Sequence, residues 1–167
     1  MFTTLLLLAV PLLGFRLLGS LGVRGFTDLR ICAAHGMAVM LVFTGFAHFL
    51  PESVTVMPNH DDMVAMVPSY VPFPRFMVYA TGVLEFLGAL GLVLTRTRPA
   101  AGACLAILFV LMFPANVHAA VEEIPLNGDP ATPLWFRVPE QVLFIAVALW
   151  ASGITRRFRS AAPAPVS

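Results

Sequence analysis

Apolar residues form five long runs along the chain, separated by shorter stretches rich in proline, glycine and charge. The runs extend over about residues 2–21, 31–50, 76–94, 99–121 and 138–154. Each approaches the roughly 20 residues that a helix needs to cross the hydrocarbon of a bilayer. Because unpaired backbone groups are costly in lipid, the runs are expected to be helices rather than open strands. The pattern predicts an all-α membrane protein with five spans.

Composition supports a lipid environment. Of the 167 residues, 59% are hydrophobic and 11% are charged, whereas a soluble domain carries about 25% charged residues. A chain of this length cannot hide so much apolar surface in a core of its own. The formal net charge of +1 lacks the clustered basic face that nucleic acid binding needs. The lipid bilayer is therefore the predicted partner, and nucleic acid is not.

The arginines predict an orientation. Seven lie in the 1–2 connection, the 3–4 connection and the C-terminal tail, whereas the opposite side has only Arg75 and Arg137. The seven are Arg24, Arg30, Arg96, Arg98, Arg156, Arg157 and Arg159. Arginine accumulates on the cytoplasmic side of membrane proteins. The N-terminus is thus predicted outside and the C-terminus in the cytoplasm, with a small, proline-rich and disordered tail over 156–167.

The first run could be a signal peptide instead of a retained helix. It lacks a basic start and an A-x-A-like cleavage site, and Arg16 interrupts it, so a retained span is the expectation.

The long connection before the third span contains the sequence pattern of a short helix. There Asn59 is expected to cap a short helix over 60–67.

Polar residues gather in the outer half of the predicted bundle. Glu85 lies eleven residues after Pro74, about 16 Å along a helix and close to the midplane. A carboxyl group there costs about 2.5–3.5 kcal/mol on insertion scales, so it should face protein or water. Thr81, Gly82, Gly88 and Ala89 share its face, and small residues allow close approach of a neighbouring helix. Glu85 is therefore either a functional carboxyl group or a structural hydrogen-bonding one.

Other spans contribute further polar side chains at a similar level. Asn116 and His118 are two residues apart and cannot face one pocket. We assign Asn116 to the pocket and pair His118 with Glu122, while Pro114 is expected to kink this helix. Arg137 has two interpretations. Its side chain either donates hydrogen bonds to carbonyl groups of the outer loops, or it binds an anionic or carbonyl-bearing molecule. The negative charge of Glu140 is expected to interact favourably with the positive end of the helix dipole in the first turn of the last span.

The two cysteines do not predict redox chemistry. Cys32 and Cys104 lie far apart and outside any CxxC pattern, so both are expected to be buried, inert thiols. The histidines show no ligand spacing such as HExxH. No metal site is predicted.

Five segments in series resemble DoxX-like integral membrane proteins. They are "FTGFAHFLPE", "MVPSYVPFP", "VYATGVLEFLGALGLVLTRTRPAAG", "FPANVHAA" and "RVPEQ". The resemblance covers about 31–150 and implies a four-helix transmembrane bundle core over 31–155, preceded by an extra N-terminal helix and loop over 1–30. The residues that match the family pattern are His48, Pro68, Pro72, Glu85, Pro114, Asn116, Arg137 and Gln141. Glu140 stands where many relatives are expected to have an apolar residue.

The resemblance implies a redox-associated protein of the bacterial cytoplasmic membrane that binds a quinone or similar lipophilic carbonyl compound in an outer-facing polar pocket of the bundle. Glu85 and His48 are the predicted catalytic residues. The predicted substrate-binding residues are Thr44, Tyr70, Asn116, Arg137 and Gln141. No electron carrier is evident, so a redox partner protein or the substrate must supply electrons. The alternatives are an isomerase or cyclase that acts on a lipophilic small molecule, and a non-catalytic subunit of a larger complex.

Overall fold

The computed structural model of the protein describes residues 2–154. The predicted tail over 156–167, with Arg156, Arg157 and Arg159, lies outside the described residues. Within residues 2–154 the regular secondary structure is helical, apart from an isolated bridge between Leu126 and Asp129.

Six α-helices follow one another within residues 2–154. They are α1 (Thr3–Ser20), α2 (Leu29–Ala47), α3 (His60–Met66), α4 (Pro74–Val93), α5 (Arg98–Val121) and α6 (Leu134–Ser152). Five of them, all except α3, are long and apolar enough to cross a membrane. The prediction of five apolar spanning helices is confirmed at this level.

Local sequence explains where several helices begin. Pro74 occupies the first turn of α4, where its missing N–H is not needed. In α3, Asn59 accepts hydrogen bonds from the backbone N–H groups of Asp61 and Asp62, and Asp62 accepts one from the N–H of Asn59. The predicted cap is confirmed. The last run begins earlier than predicted, at Leu134, because Pro133 is extended and starts the helix.

The packed interior lies around α2, which contacts α1, α4 and α6. Its Met37 and Leu41 are fully buried, together with Leu92 of α4 and Leu105 of α5. A Cβ atom on Gly88 would lie 2.4 Å from the Leu105 side chain. Glycine at this position therefore allows α4 and α5 to approach closely, as the sequence predicted.

The bundle has two different ends. At one end, which we call the capped end, α3 lies over the end of α2 and the start of α4, and α6 and α1 begin nearby. At the opposite end the connections are short, at 21–28 and 94–97. These short connections and the residues beside them carry Arg24, Arg30, Arg96 and Arg98. Between the two ends, large apolar side chains cover the sides of the bundle, which is the surface that lipid solvates.

Candidate functional site

Glu85 lies in the middle of α4 and is almost completely buried, with 3% of its surface exposed. The hydroxyl group of Thr44, on α2, donates a hydrogen bond to Glu85 Oε2 at 2.5 Å. A buried carboxyl group is costly unless hydrogen bonds and a charge partner compensate for lost water. Thr44 supplies one hydrogen bond, and the adjacent turn of α2 supplies the other partner.

That partner is His48, which is equally buried at the end of α2. Its Nδ1 lies 2.8 Å from the carbonyl oxygen of Val78. Because a carbonyl oxygen only accepts, Nδ1 carries a hydrogen. The other ring nitrogen, Nε2, lies 3.6 Å from Glu85 Oε1. His48 therefore points its second nitrogen at the carboxyl group.

Because Nδ1 of His48 is a donor, the protonation of Nε2 and of the Glu85 carboxyl group decides whether their contact is favourable. If Nε2 and Oε1 both lacked a hydrogen, two lone pairs would face each other in an apolar interior, which is unfavourable. A proton on either group, giving a carboxylic acid beside a neutral imidazole or a carboxylate beside an imidazolium, would relieve this contact. The distance of 3.6 Å exceeds that of a normal hydrogen bond.

Small residues of α4 make room for this pair. A Cβ atom on Gly82 would lie 2.6 Å from His48 Cβ, so only glycine allows α2 this close. The hydroxyl of Thr81 donates to the Val78 carbonyl group and lies 3.2 Å from His48 Nδ1. We call Thr44, His48, Thr81 and Glu85 the α2–α4 polar cluster.

α3 covers the cluster from the capped end. His60, the first residue of α3, is 5% exposed, and its Nδ1 lies 2.8 Å from the carbonyl oxygen of His48. The backbone N–H of His60 donates to the carbonyl oxygen of Leu50. Among the described residues, nothing hydrogen-bonds to Nε2 of His60, although this atom is buried.

Aromatic rings line the same side of α2 and α4. Tyr79 stacks on His60 with 4.0 Å between ring centroids, and Phe49 lies 5.5 Å from Tyr79. Phe86 stacks on Phe49 at 5.8 Å, and Phe46 lies 5.3 Å beyond it. We call these five rings, His60, Tyr79, Phe49, Phe86 and Phe46, the aromatic row. It runs from α3 towards the middle of the bundle beside the polar cluster.

A second buried carboxyl group lies at the start of α6. Glu140 Oε2 lies 2.8 Å from Arg137 Nη1, and Glu140 Oε1 accepts a hydrogen bond from the hydroxyl of Thr4 on α1. We call these three residues the α1–α6 polar cluster. The sequence interpretation of Glu140 as an electrostatic partner of the helix terminus is wrong, because its carboxyl group joins two helices. Both interpretations of Arg137 omitted this partner.

The other predicted binding residues lie apart from Glu85. Asn116 bonds back to the Met112 carbonyl group of its own helix at 3.5 Å. Gln141 donates to the carbonyl oxygen of Phe109, which joins α6 to α5. Tyr70 is 75% exposed. The structure thus brings together Glu85, His48 and Thr44, while Asn116, Gln141, Arg137 and Tyr70 have other neighbours.

Two smaller predictions need correction. His118 does not pair with Glu122, because its Nδ1 lies 3.0 Å from the Met66 carbonyl oxygen on α3. Cys32 is buried, as predicted, but Cys104 is exposed on the surface of α5. Within residues 2–154, no three His, Cys, Asp or Glu side chains are arranged to hold a metal ion.

Two apolar grooves lie elsewhere on the bundle. One of about 430 Å³ runs between α4 and α5, and another of about 270 Å³ between α1 and α2. Apolar side chains line both, and no residue of the α2–α4 polar cluster lines either. The centre of the polar cluster, Glu85 and His48, is buried and packed closed, whereas the sequence predicted an outer-facing polar pocket.

Comparison with known proteins places most of this bundle in one family. A family model described as a domain of unknown function, DUF8561, matches residues 37–152. The match begins within α2 and extends to the end of α6, so both buried carboxyl groups lie inside it, while α1 precedes it. No curated protein and no solved structure matches the chain.

Proposed function

The chain belongs to the DUF8561 family, and we propose that it binds a lipophilic ring compound of the quinone type at the α2–α4 polar cluster. In this proposal the Glu85–His48 pair exchanges a proton with an oxygen atom of the ring. A partner protein supplies or removes the electrons.

The observation that carries the proposal is the orientation of His48. With its Nδ1 donating to the carbonyl group of Val78, its Nε2 faces the Glu85 carboxyl group at 3.6 Å, so the two groups can hold one proton between them inside an apolar bundle. Such a pair can give the proton to a carbonyl oxygen that is being reduced, or take one from a hydroxyl group that is being oxidised. Few buried arrangements serve both directions.

The aromatic row supports a flat ligand. Its rings stand 4.0 to 5.8 Å apart along one side of α2 and α4, and stacked or edge-to-face rings attract each other beyond their burial alone. Phe49 and Tyr79 are partly exposed on the side of the bundle. A ring compound that arrives from the lipid could displace Phe49 and reach His48 without crossing water.

The resemblance to DoxX-like proteins points in the same direction, because members of that family are associated with quinone chemistry. The arginine distribution supports an orientation in which the capped end and the N-terminus face outwards. In this orientation the protein lies in a bacterial cytoplasmic membrane, with α2, α4, α5 and α6 as the four-helix core and α1 as an added helix.

A non-catalytic membrane subunit is the second candidate. It is favoured by the observation that Glu85, Arg137 and Gln141 all bond to other protein groups and that the cluster is closed. In that case the polar groups fix the helices, and the surface of the bundle docks a partner.

A binding measurement separates the two candidates. Purified full-length protein in nanodiscs is titrated with a decyl-substituted benzoquinone, and the Kd is compared with that of Glu85→Leu. Losing a hydrogen bond from a buried charged group should weaken binding at least about tenfold. Arg75→Gln, which alters an exposed ion pair at the same end, is the control and should bind as the wild type does.

If neither protein binds the benzoquinone, the proposal is wrong. The subunit candidate is then tested by co-purification. It predicts that Glu85→Leu lowers the melting temperature and the yield of any partner that co-purifies with the wild-type chain.

A further inference from the structure

His60 carries a buried nitrogen that no described residue satisfies. Its Nδ1 lies 2.8 Å from the His48 carbonyl oxygen, which only accepts, so Nδ1 is the donor. In the neutral imidazole, Nε2 is then an acceptor, and it has no hydrogen-bond donor nearby. A buried acceptor without a partner is costly. This cost favours a state of the protein in which a donor reaches His60.

The surroundings give His60 no carboxylate partner among the described residues. The two carboxyl groups nearest in the chain are both engaged elsewhere. Asp61 pairs with Arg75 at 2.9 Å, and Asp62 accepts from the backbone N–H groups of Asn59 and Asn127. Within residues 2–154, neither carboxylate therefore bonds to Nε2 of His60.

The ring is also held in place. The backbone N–H of His60 bonds to Leu50, its Nδ1 bonds to His48, and one face lies against Tyr79 at an interplanar angle of 18°. Two hydrogen bonds and a stacked neighbour therefore fix the direction of Nε2. A preorganised acceptor of this kind selects its partner by hydrogen-bonding type rather than by adapting to it.

We propose that Nε2 of His60 accepts a hydrogen bond from a ring hydroxyl group, so that the site prefers the hydroquinone to the quinone. This inference rests on the proposed function and adds a specificity residue to it. A hydroquinone oxygen carries a hydrogen to donate, whereas a quinone oxygen only accepts and would face the lone pair of Nε2. The Glu85–His48 pair can bond to either form, so the discrimination belongs to His60.

The test compares two ligands and two histidines. A decyl-substituted benzoquinone and its hydroquinone, kept reduced with dithionite, are titrated against full-length protein in nanodiscs. The reductant is harmless to the fold because both cysteines are free thiols. The wild type should bind the hydroquinone about tenfold more tightly than the quinone, the usual value of one good hydrogen bond to a buried group.

His60→Phe keeps a ring against Tyr79 but removes Nε2. It should weaken hydroquinone binding until the two ligands bind equally, while the Kd for the quinone stays unchanged. His118→Phe is the matched control, because His118 also bonds to a carbonyl group at α3 but lies outside the aromatic row. It should keep the preference of the wild type.

A third ligand tests the same hydrogen bond in the wild type, so this measurement does not depend on whether His60→Phe folds. The dimethyl ether of the hydroquinone has no hydroxyl hydrogen, and it should bind to the wild type as weakly as the quinone does. If both redox forms bind equally to the wild type, or if His60→Phe leaves their ratio unchanged, the role of His60 is wrong and the proposed function stands. If neither form binds, the proposed function itself is wrong.

Discussion

Two glutamates, Glu85 and Glu140, are equally buried in this bundle, each with 3% of its surface exposed, but their partners differ. Glu140 has the guanidinium group of Arg137 at 2.8 Å and the hydroxyl of Thr4. Glu85 has the hydroxyl of Thr44 at 2.5 Å and the imidazole of His48 at 3.6 Å. Each carboxyl group thus has one hydroxyl donor and one nitrogen base.

The bases account for the difference. Arginine stays charged at any accessible pH, so Glu140 is a fixed carboxylate that joins α6 to α1. Histidine gains and loses its proton easily, so in our proposal the Glu85–His48 pair passes a proton to and from the ligand. A buried carboxyl group with a permanent counter-ion holds helices together, whereas one that shares a proton with an imidazole can do chemistry.

The largest effect is expected from removing the permanent counter-ion. Arg137→Met leaves the Glu140 carboxylate buried with only Thr4 as a donor, which should lower the free energy of unfolding by about 3–5 kcal/mol. Denaturant unfolding in detergent measures it. Arg75→Met is the control, because Arg75 is 68% exposed and its ion pair contributes at most about 1 kcal/mol. Equal losses in the two variants would contradict the assignment of Glu140 as a structural carboxylate.

Gly82→Ala should have the next largest effect. The added Cβ would lie 2.6 Å from His48 Cβ, and overpacking of this kind costs about 1–3 kcal/mol. Because the clash moves His48 away from Glu85, benzoquinone binding should fall as well. Gly14→Ala provides a matched helix position where an added Cβ meets nothing within 4 Å. That variant should keep or slightly raise the melting temperature.

The two threonine hydroxyl groups allow a closer comparison. Thr44→Val and Thr4→Val each remove one donor to a buried carboxyl group, at a cost of about 1 kcal/mol. Only Thr44→Val should also weaken ligand binding, because Thr4 bonds to the structural carboxylate. A binding defect in Thr4→Val of the same size would show that the two clusters act as one unit.

Replacing Glu85 itself should give the smallest and the most informative change in stability. Glu85→Gln imitates the protonated carboxyl group and can still accept from Thr44, so the loss in unfolding free energy should stay below about 1 kcal/mol. Glu140→Gln leaves Arg137 without its carboxylate and should lose several times more. Calorimetry of both variants checks the ratio, and a large loss in Glu85→Gln would indicate a fixed ion pair with His48.

Much of this architecture follows from the sequence. The apolar runs predicted all five long helices, and Asn59 with Asp62 marked the start of α3. The small residues around Glu85 indicated a face of α4 that a neighbouring helix approaches closely. These predictions depend on neighbours within a few turns.

The remaining features depend on partners far apart in the chain. Thr4 and Glu140 are 136 residues apart, and nothing local to either residue indicates the other. Lipid is as apolar as a side-chain core, so the apolar pattern indicates poorly which side of a helix faces protein. For this reason the sequence paired His118 with Glu122 rather than with Met66. It also grouped Asn116 and Gln141 with Glu85, although the structure gives each of them a different partner.

The most direct test of the central claim is infrared difference spectroscopy of the carboxyl groups. A film of the wild-type protein in lipid is perfused with the decyl-substituted benzoquinone and then with its hydroquinone. We predict that the C=O band of a protonated carboxyl group changes on ligand exchange and that Glu85→Gln abolishes this change. A spectrum with bound ligand but no carboxyl change, or the same change in Glu85→Gln, would contradict proton exchange at the Glu85–His48 pair.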